Sequence, residues 1–279
     1  AVQNRANMEF ANYWGFTLSG DRTLPVLATR ALRGGPALRE SGSWRLGANL
    51  RSDFRKPVWG NIGGSYTRED ETGVVRRSLN TGMRFRPPGA LAFSLEGRFT
   101  NDVDDRQFIA RPTVLDSTHY VFGRIDRREA SFTMRFDVAL TPRLSLEFYA
   151  QPFVSAGRYS LLRLVADPRA PRYGDRFESL ESDRLTRPGG GQPAAVDVNR
   201  DGTTDFSFNE PDFRVVSLRT NAVLRWEFRP GSTLFVVWQQ NRQDRVTDGS
   251  LALAGAVGDT FTATGQHVVA VKAAYWIGL

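Results

Sequence analysis

Phe213-Arg214-Val215-Val216-Ser217-Leu218-Arg219-Thr220-Asn221-Ala222-Val223-Leu224-Arg225-Trp226-Glu227-Phe228 is the stretch whose reading decides the fold. Its even positions from Val216 onward are Val216, Leu218, Thr220, Ala222, Leu224, Trp226 and Phe228, while the odd ones include Ser217, Arg219, Asn221, Arg225 and Glu227. A β-strand sends successive side chains to opposite sides, so this order makes one greasy face and one charged face. The split returns in Ser131 to Leu140, where Phe132, Met134, Phe136, Val138 and Leu140 alternate with Ser131, Thr133, Arg135 and Asp137. It is repeated in Arg143 to Gln151, Leu91 to Thr100 and Trp44 to Arg51. Weaker alternation marks Met8 to Leu18, Leu24 to Arg33, Val58 to Thr67, Val74 to Arg86, Thr118 to Arg127, Arg158 to Val165, Thr233 to Arg242 and His267 to Ile277. About thirteen strands are therefore expected. Tight links fall at Arg55-Lys56-Pro57, Pro87-Pro88-Gly89, Thr141-Pro142 and Arg229-Pro230-Gly231-Ser232, and long ones at Asn101 to Ser117, Ala166 to Pro211 and Gln243 to Gly265.

Strand length separates two architectures that share this pattern. The segments run to about 9–14 residues, against five or six in soluble sheets and 9–11 for strands crossing a bilayer at a tilt. A soluble sandwich covers its apolar face with a second sheet; an outer-membrane barrel covers it with lipid and turns the polar face to a lumen. Trp14, Trp44, Trp59, Trp226, Trp238 and Trp276 fall mostly near strand ends, as interfacial girdles do. The expected fold is all-β: an antiparallel transmembrane outer-membrane β-barrel. Residues 1–279 would form one domain with loop 166–211 on the outside and about 12–14 strands in view. Bacterial single-chain barrels close with an even number of strands, so an odd count near thirteen suggests missing strands, with the chain the C-terminal part of a larger barrel or of a processed precursor.

Composition removes other classes. The longest strongly apolar runs, Leu234 to Trp238 and Ala273 to Ile277, are five residues long, where a spanning helix needs about 20. With no Cys there is no disulfide scaffold, and 41% hydrophobic content with 19 Phe argues against disorder. The 37 basic residues against 30 acidic ones give +7, but only Lys56 and Lys272 are lysines and the arginines are scattered, without a recognition helix or an aromatic RNA-binding signature. Nucleic-acid binding is not expected. The sequence shows no initiating Met and no leader-like segment, so any export signal is expected upstream or already removed.

Three stretches carry a family likeness: Thr29-Arg30-Ala31-Leu32-Arg33-Gly34-Gly35-Pro36, then Asn221 through Trp238 with its Arg225-Trp226-Glu227-Phe228-Arg229-Pro230-Gly231-Ser232 centre, then the closing Tyr275-Trp276 strand. They resemble the C-terminal domain of unknown function found in bacterial proteins that begin with a family-nine-like carbohydrate-binding module. The resemblance spans most of the chain, and its most specific part is the Arg-Trp-Glu-Phe-Arg-Pro-Gly-Ser run. It implies a membrane-associated barrel in the Gram-negative outer membrane; the carbohydrate-binding module itself is not in this sequence.

Two constellations stand out. Asp197-Val198-Asn199-Arg200-Asp201-Gly202-Thr203-Thr204-Asp205 places oxygen ligands from Asp197, Asn199, Asp201 and Asp205, with the Thr203 carbonyl between, at the spacing a calcium loop uses. Position twelve is Phe208, so Glu210 or Asp212 would have to close such a site, and a metal-free polar loop is the alternative. Second, Arg45, Arg51, Arg84, Arg98, Arg135, Arg219 and Arg225 fall on polar faces with Glu96, Asp137, Glu147 and Glu227. They either give an open lumen a preference for anions or pair in cross-strand ladders that fill it, and the ladder is the favoured expectation. Two His, no Cys and no Gly-x-Ser-x-Gly elbow leave catalysis unsupported. The expected role is a channel, anchor or assembly component for extracellular material, glycan included, in contact with outer-membrane lipid and other outer-membrane or surface proteins. The alternatives are a soluble β-sandwich that binds polysaccharide and an outer-membrane barrel enzyme.

Overall fold

The computed structural model describes residues 1–114, 116–189 and 191–277. Eleven strands follow one another along a single antiparallel path: β1 (Val2–Glu9), β2 (Gly15–Thr23), β3 (Ser43–Arg51), β4 (Val58–Glu69), β5 (Val75–Phe85), β6 (Leu91–Ala110), β7 (Val121–Thr141), β8 (Leu144–Val165), β9 (Phe213–Arg229), β10 (Ser232–Val246) and β11 (Gly265–Ala274). A short strand, Phe177–Ser179, adds to β8. Among the described residues β1 and β11 do not pair with each other, so the sheet is open, and no closed barrel forms.

Successive links alternate in kind. At one end, here the turn end, they are tight. Pro230-Gly231 joins β9 to β10 with Gly231 at φ 78°, a conformation that favours glycine. Beside the β3–β4 turn, Asp53 accepts from Arg55 Nε at 2.9 Å and Nη2 at 3.0 Å, and this pairing pulls its carboxyl down to about 2. At the other end, the loop end, lie residues 24–42, 111–114, 116–120, 166–189, 191–212 and 247–264, together with the shorter 70–74 link.

Register makes the sheet two-faced throughout, because residues paired across antiparallel strands share a face. On the apolar face Leu46 pairs with Tyr66, Met83 with Leu95, Leu95 with Met134, Phe136 with Phe148, and Trp238 with Val269. On β7 alone Phe132, Met134, Phe136, Val138 and Leu140 occupy alternate positions, which at 3.3 Å per residue spans about 26 Å along the strand. Among the described residues no second sheet packs on this belt. Leu46 is 59% exposed, Ile62 52%, Met83 44% and Val271 65%; Phe136, Phe148 and Leu224 are half-buried. Leu218 is buried, but the neighbouring cover is helix α1 (Leu253–Thr262), which packs Ala256 on Val154 and Val216 toward the loop end. Of the tryptophans, Trp44 and Trp226 lie near strand ends, while Trp238 sits within the belt and Trp59 faces the polar side under the Arg84 guanidinium.

The loop end is built differently. Strands β6, β7 and β8 are 20, 21 and 22 residues long and continue past the belt into a conventional protein core. There Val121, Leu162, Leu164, Ala194, Val196 and Phe206 are buried together, beneath the small sheet Leu185–Thr186, Ala194–Val196, Phe206–Phe208. Leu32, Leu38 and Phe122 form a second cluster. Arg176, fully buried, ties three loops: its guanidinium donates to the Arg39, Ala170 and Pro171 carbonyls and to both oxygens of Glu71 at 2.8 Å.

The expected strand list needs correction here. Thr118 to Arg127 and Ser131 to Leu140 are one strand, as are Arg143 to Gln151 and Arg158 to Val165, and residues 101–110 extend β6 instead of forming a link. Backbone pairing runs on through Arg127-Arg128-Glu129 and Val154-Ser155-Ala156 while the side-chain pattern changes, because these residues leave the belt for the loop-end core. Met8 to Leu18 straddles the β1–β2 turn, where Tyr13 takes a positive φ of 64°, and Leu24 to Arg33 holds only the strand Val26–Ala28. Thirteen segments thus become eleven in the main path.

Replacing Arg176 with Met should cost about 3 kcal/mol of local stability, the lower range for breaking a buried pair, and so speed hydrogen exchange at loop-end amides roughly a hundredfold. Arg176 holds the Glu71 carboxyl below its ordinary value. A depressed carboxylate contributes fully above its unfolded pKa and loses that contribution as pH falls through the folded one. Loop-end exchange in the native protein should therefore accelerate in acid below about pH 4, and the Met variant should lack that acid limb.

Candidate polar groove

The other face of the sheet gathers the polar residues into layers set by register. One layer runs Arg5, Ser19, Gly47, Ser65, Ser78, Thr100, Glu129, Ser155 from β1 to β8, and the next runs Asn7, Thr17, Asn49, Gly63, Asn80, Arg98, Ser131. Two adjoining cavities of about 350 and 410 Å³ lie on it and share Asn80 and Arg98 in their walls. Glycines keep the floor low. A Cβ on Gly63 would meet Asn49 Nδ2 at 2.4 Å, and one on Gly82 would meet Asn61 Oδ1 at 2.6 Å, so each amide lies flat over a neighbouring glycine.

Every one of the eleven residues expected to line a lumen lies on this face. The register places Arg45, Arg51, Arg84, Arg98, Arg135, Arg219 and Arg225 there together with Glu96, Asp137 and Glu147, and Glu227, at the register shift beyond Trp226, turns toward Arg225 on the same side. The favoured ladder among them does not form. Arg225 and Glu227, on one strand, approach to 4.0 Å, and Asp137 stands directly opposite Glu147, like facing like. Arg84 and Arg135 instead lie over the rings of Trp59 and Tyr149. Arg45 reaches Ser65 Oγ at 3.4 Å.

A real ladder sits higher, where sequence reading missed it. Asp102, buried, accepts from Arg76 on β5 and Arg127 on β7, each at 2.6 Å. Its signal was present in the residue types but required the hairpin register to be seen.

The loop 197–205 closes on itself. Asp197 accepts from the N–H groups of Arg200 at 2.7 Å and Gly202 at 2.8 Å, Asp205 accepts from Val198 N–H at 2.6 Å, and Asp201 accepts from Asn199 Nδ2 at 2.9 Å and Thr203 N–H at 2.8 Å. The residues named for closure are engaged elsewhere: Glu210 pairs with Arg187, and Asp212 accepts from Tyr159 N–H at 2.6 Å. No group of three or more Asp, Glu, His or Cys suited to a metal occurs among the described residues.

Glu210 and Asp212 instead help line a separate loop-end cleft of about 740 Å³ with Arg158, Tyr159 and Arg187. Burial pushes the Asp212 carboxyl up there, against the pull of the Tyr159 N–H and of Arg187. Glu210 is neutralised by Arg187, whose Nε donates to it at 3.2 Å while Nη1 is spent on the Tyr159 carbonyl at 2.9 Å.

No family model matches this chain, and no curated protein matches it. The groove is therefore read from its own chemistry: a wide polar concavity, rich in guanidinium, hydroxyl and amide groups, on one side of a sheet whose other side is greasy.

Replacing Gly63 with Val should displace Asn49 and press on the Ala48 carbonyl, 3.1 Å from the first added carbon. Overpacking of this kind costs about 1–3 kcal/mol, which should appear as a lower midpoint in thermal unfolding with the fold retained.

Proposed function

We propose that this sheet is a wall of an outer-membrane β-barrel that serves as a channel for extracellular material, with its apolar belt against lipid and its polar face toward a lumen. The observation that carries this reading is the uncovered belt: large apolar side chains such as Leu46, Ile62 and Val271 remain more than half exposed along a sheet one layer thick. Monomeric soluble proteins rarely leave apolar patches above a few hundred Å² open to water. Tight turns at one end and long loops at the other support the same reading, as do aromatic side chains at the belt margins, among them Trp44, Trp226 and Trp276. The resemblance to a barrel domain partnered with a carbohydrate-binding module brings glycan forward as the material handled.

The intact protein should require detergent for extraction, migrate faster unheated than boiled on a denaturing gel, and conduct in planar bilayers. Arg substituted at Met83 or Leu95, mid-belt, should cost about 2–4 kcal/mol and abolish the fast-migrating form. Monodisperse recovery from the aqueous fraction without detergent, with no heat-dependent shift, would overturn the reading in favour of a soluble module.

A further inference from the structure

We infer that the groove beside Arg5, Arg45 and Arg98 binds an acidic oligosaccharide, a chain of hydroxylated rings bearing carboxylate or sulfate groups. This rests on the reading of the polar face as an open lumen and names what that lumen takes. The charge comes first. All three guanidiniums are exposed, and the cavity they line contains no acidic residue, while the adjoining one carries a single carboxylate, Glu96, against the shared Arg98. Among the described residues none of the three forms an ion pair: Asp21, opposite Arg45, and Glu96, two residues from Arg98, both stay outside ion-pair distance. A free guanidinium offers a planar fork that takes a carboxylate or sulfate through two parallel hydrogen bonds.

The neutral lining comes second. Ser65, Ser78 and Thr100 in one layer, with Asn49 and Asn80 in the next, present groups that both donate and accept, the complement of sugar hydroxyls. No aromatic ring lines this cavity, so a neutral sugar finds no stacking platform and charge must supply the affinity. Extent comes third. With Asn80 and Arg98 common to both cavities, the groove reaches from β1 to β8, seven inter-strand steps or about 33 Å, far longer than one inorganic anion.

Calorimetry on the full-length protein in detergent tests this, with three probes: hexagalacturonate, a neutral oligosaccharide of equal length, and sodium sulfate. The expected result is saturable binding of the acidic oligomer that weakens as salt rises, no binding of the neutral one, and sulfate at least about tenfold weaker. The double variant Arg45→Gln, Arg98→Gln should lose about tenfold or more in affinity. Arg77→Gln, on the opposite face, should lose none. Equal binding of the neutral oligomer, sulfate binding as tightly as the oligomer, undiminished affinity in the double variant, or no binding at all would each overturn the assignment. Heat-dependent migration of the same samples keeps the two proposals apart: a shift without binding removes the ligand and leaves the barrel.

Discussion

A sheet one layer thick has two faces and two edges to satisfy, and everything in this protein follows from how that is done. The backbone ladder spends most N–H and C=O groups between neighbours, so the faces decide the surroundings. One face pairs Met83 with Leu95 and Leu95 with Met134; the other pairs Asn80 with Arg98 and Ser78 with Thr100. Because pairing preserves sidedness from strand to strand, a single slip by one residue would put arginine on the greasy side and leucine in the groove. The alternation therefore fixes register as firmly as it fixes the faces.

The same strands change their environment along their own length. In β7, Phe132 to Leu140 belong to the open belt, yet Val121, Phe122 and Ile125 are fully buried. Nothing in the hydrogen-bonded ladder marks the boundary except register irregularities near Phe122 and Arg124. What changes is the cover: beyond the belt, residues 166–189 and 191–212 fold back and close over the strand ends, with Arg176 as the clasp. A buried arginine is tolerable there because each of its donor groups has a partner. The groove below is the opposite case, with the guanidiniums of Arg5, Arg45 and Arg98 exposed and without an ion pair among the described residues.

Two-faced strands were legible in the sequence because period-two alternation is local, and the all-β, antiparallel class follows from it together with the tight Pro-Gly turns. Strand ends were not legible where the alternation stops for a tertiary reason. The alternation stops at Arg127 and resumes at Ser131, but Arg127 is held by Asp102 across the sheet, a contact between residues 25 apart in sequence. The polar-face arginines were correctly assigned to a face, since that needs only parity. Their partners were misjudged, since that needs register between strands: Glu147 meets Asp137 where a ladder would have placed arginine. In loop 197–205 the spacing of oxygens was visible, while the backbone donors those oxygens accept from depend on a folded turn, with Arg200 and Gly202 both at positive φ.

The edges set the last condition. Eleven consecutive antiparallel strands leave β1 and β11 running in the same direction, so joining them directly would make the one parallel seam in the structure. Both edges are unsheltered, and β11 exposes Val268, Val269 and Val271 at 55%, 66% and 65%. A long, flat, apolar edge invites adventitious pairing in water, and in hydrocarbon each unpaired backbone group costs several kcal/mol. On the proposed reading the remedy is the same in both settings: an odd number of further strands between β11 and β1 restores an even, wholly antiparallel cylinder and satisfies both edges. On that reading the groove forms one arc of the lumen wall, with Arg5 on the edge strand β1.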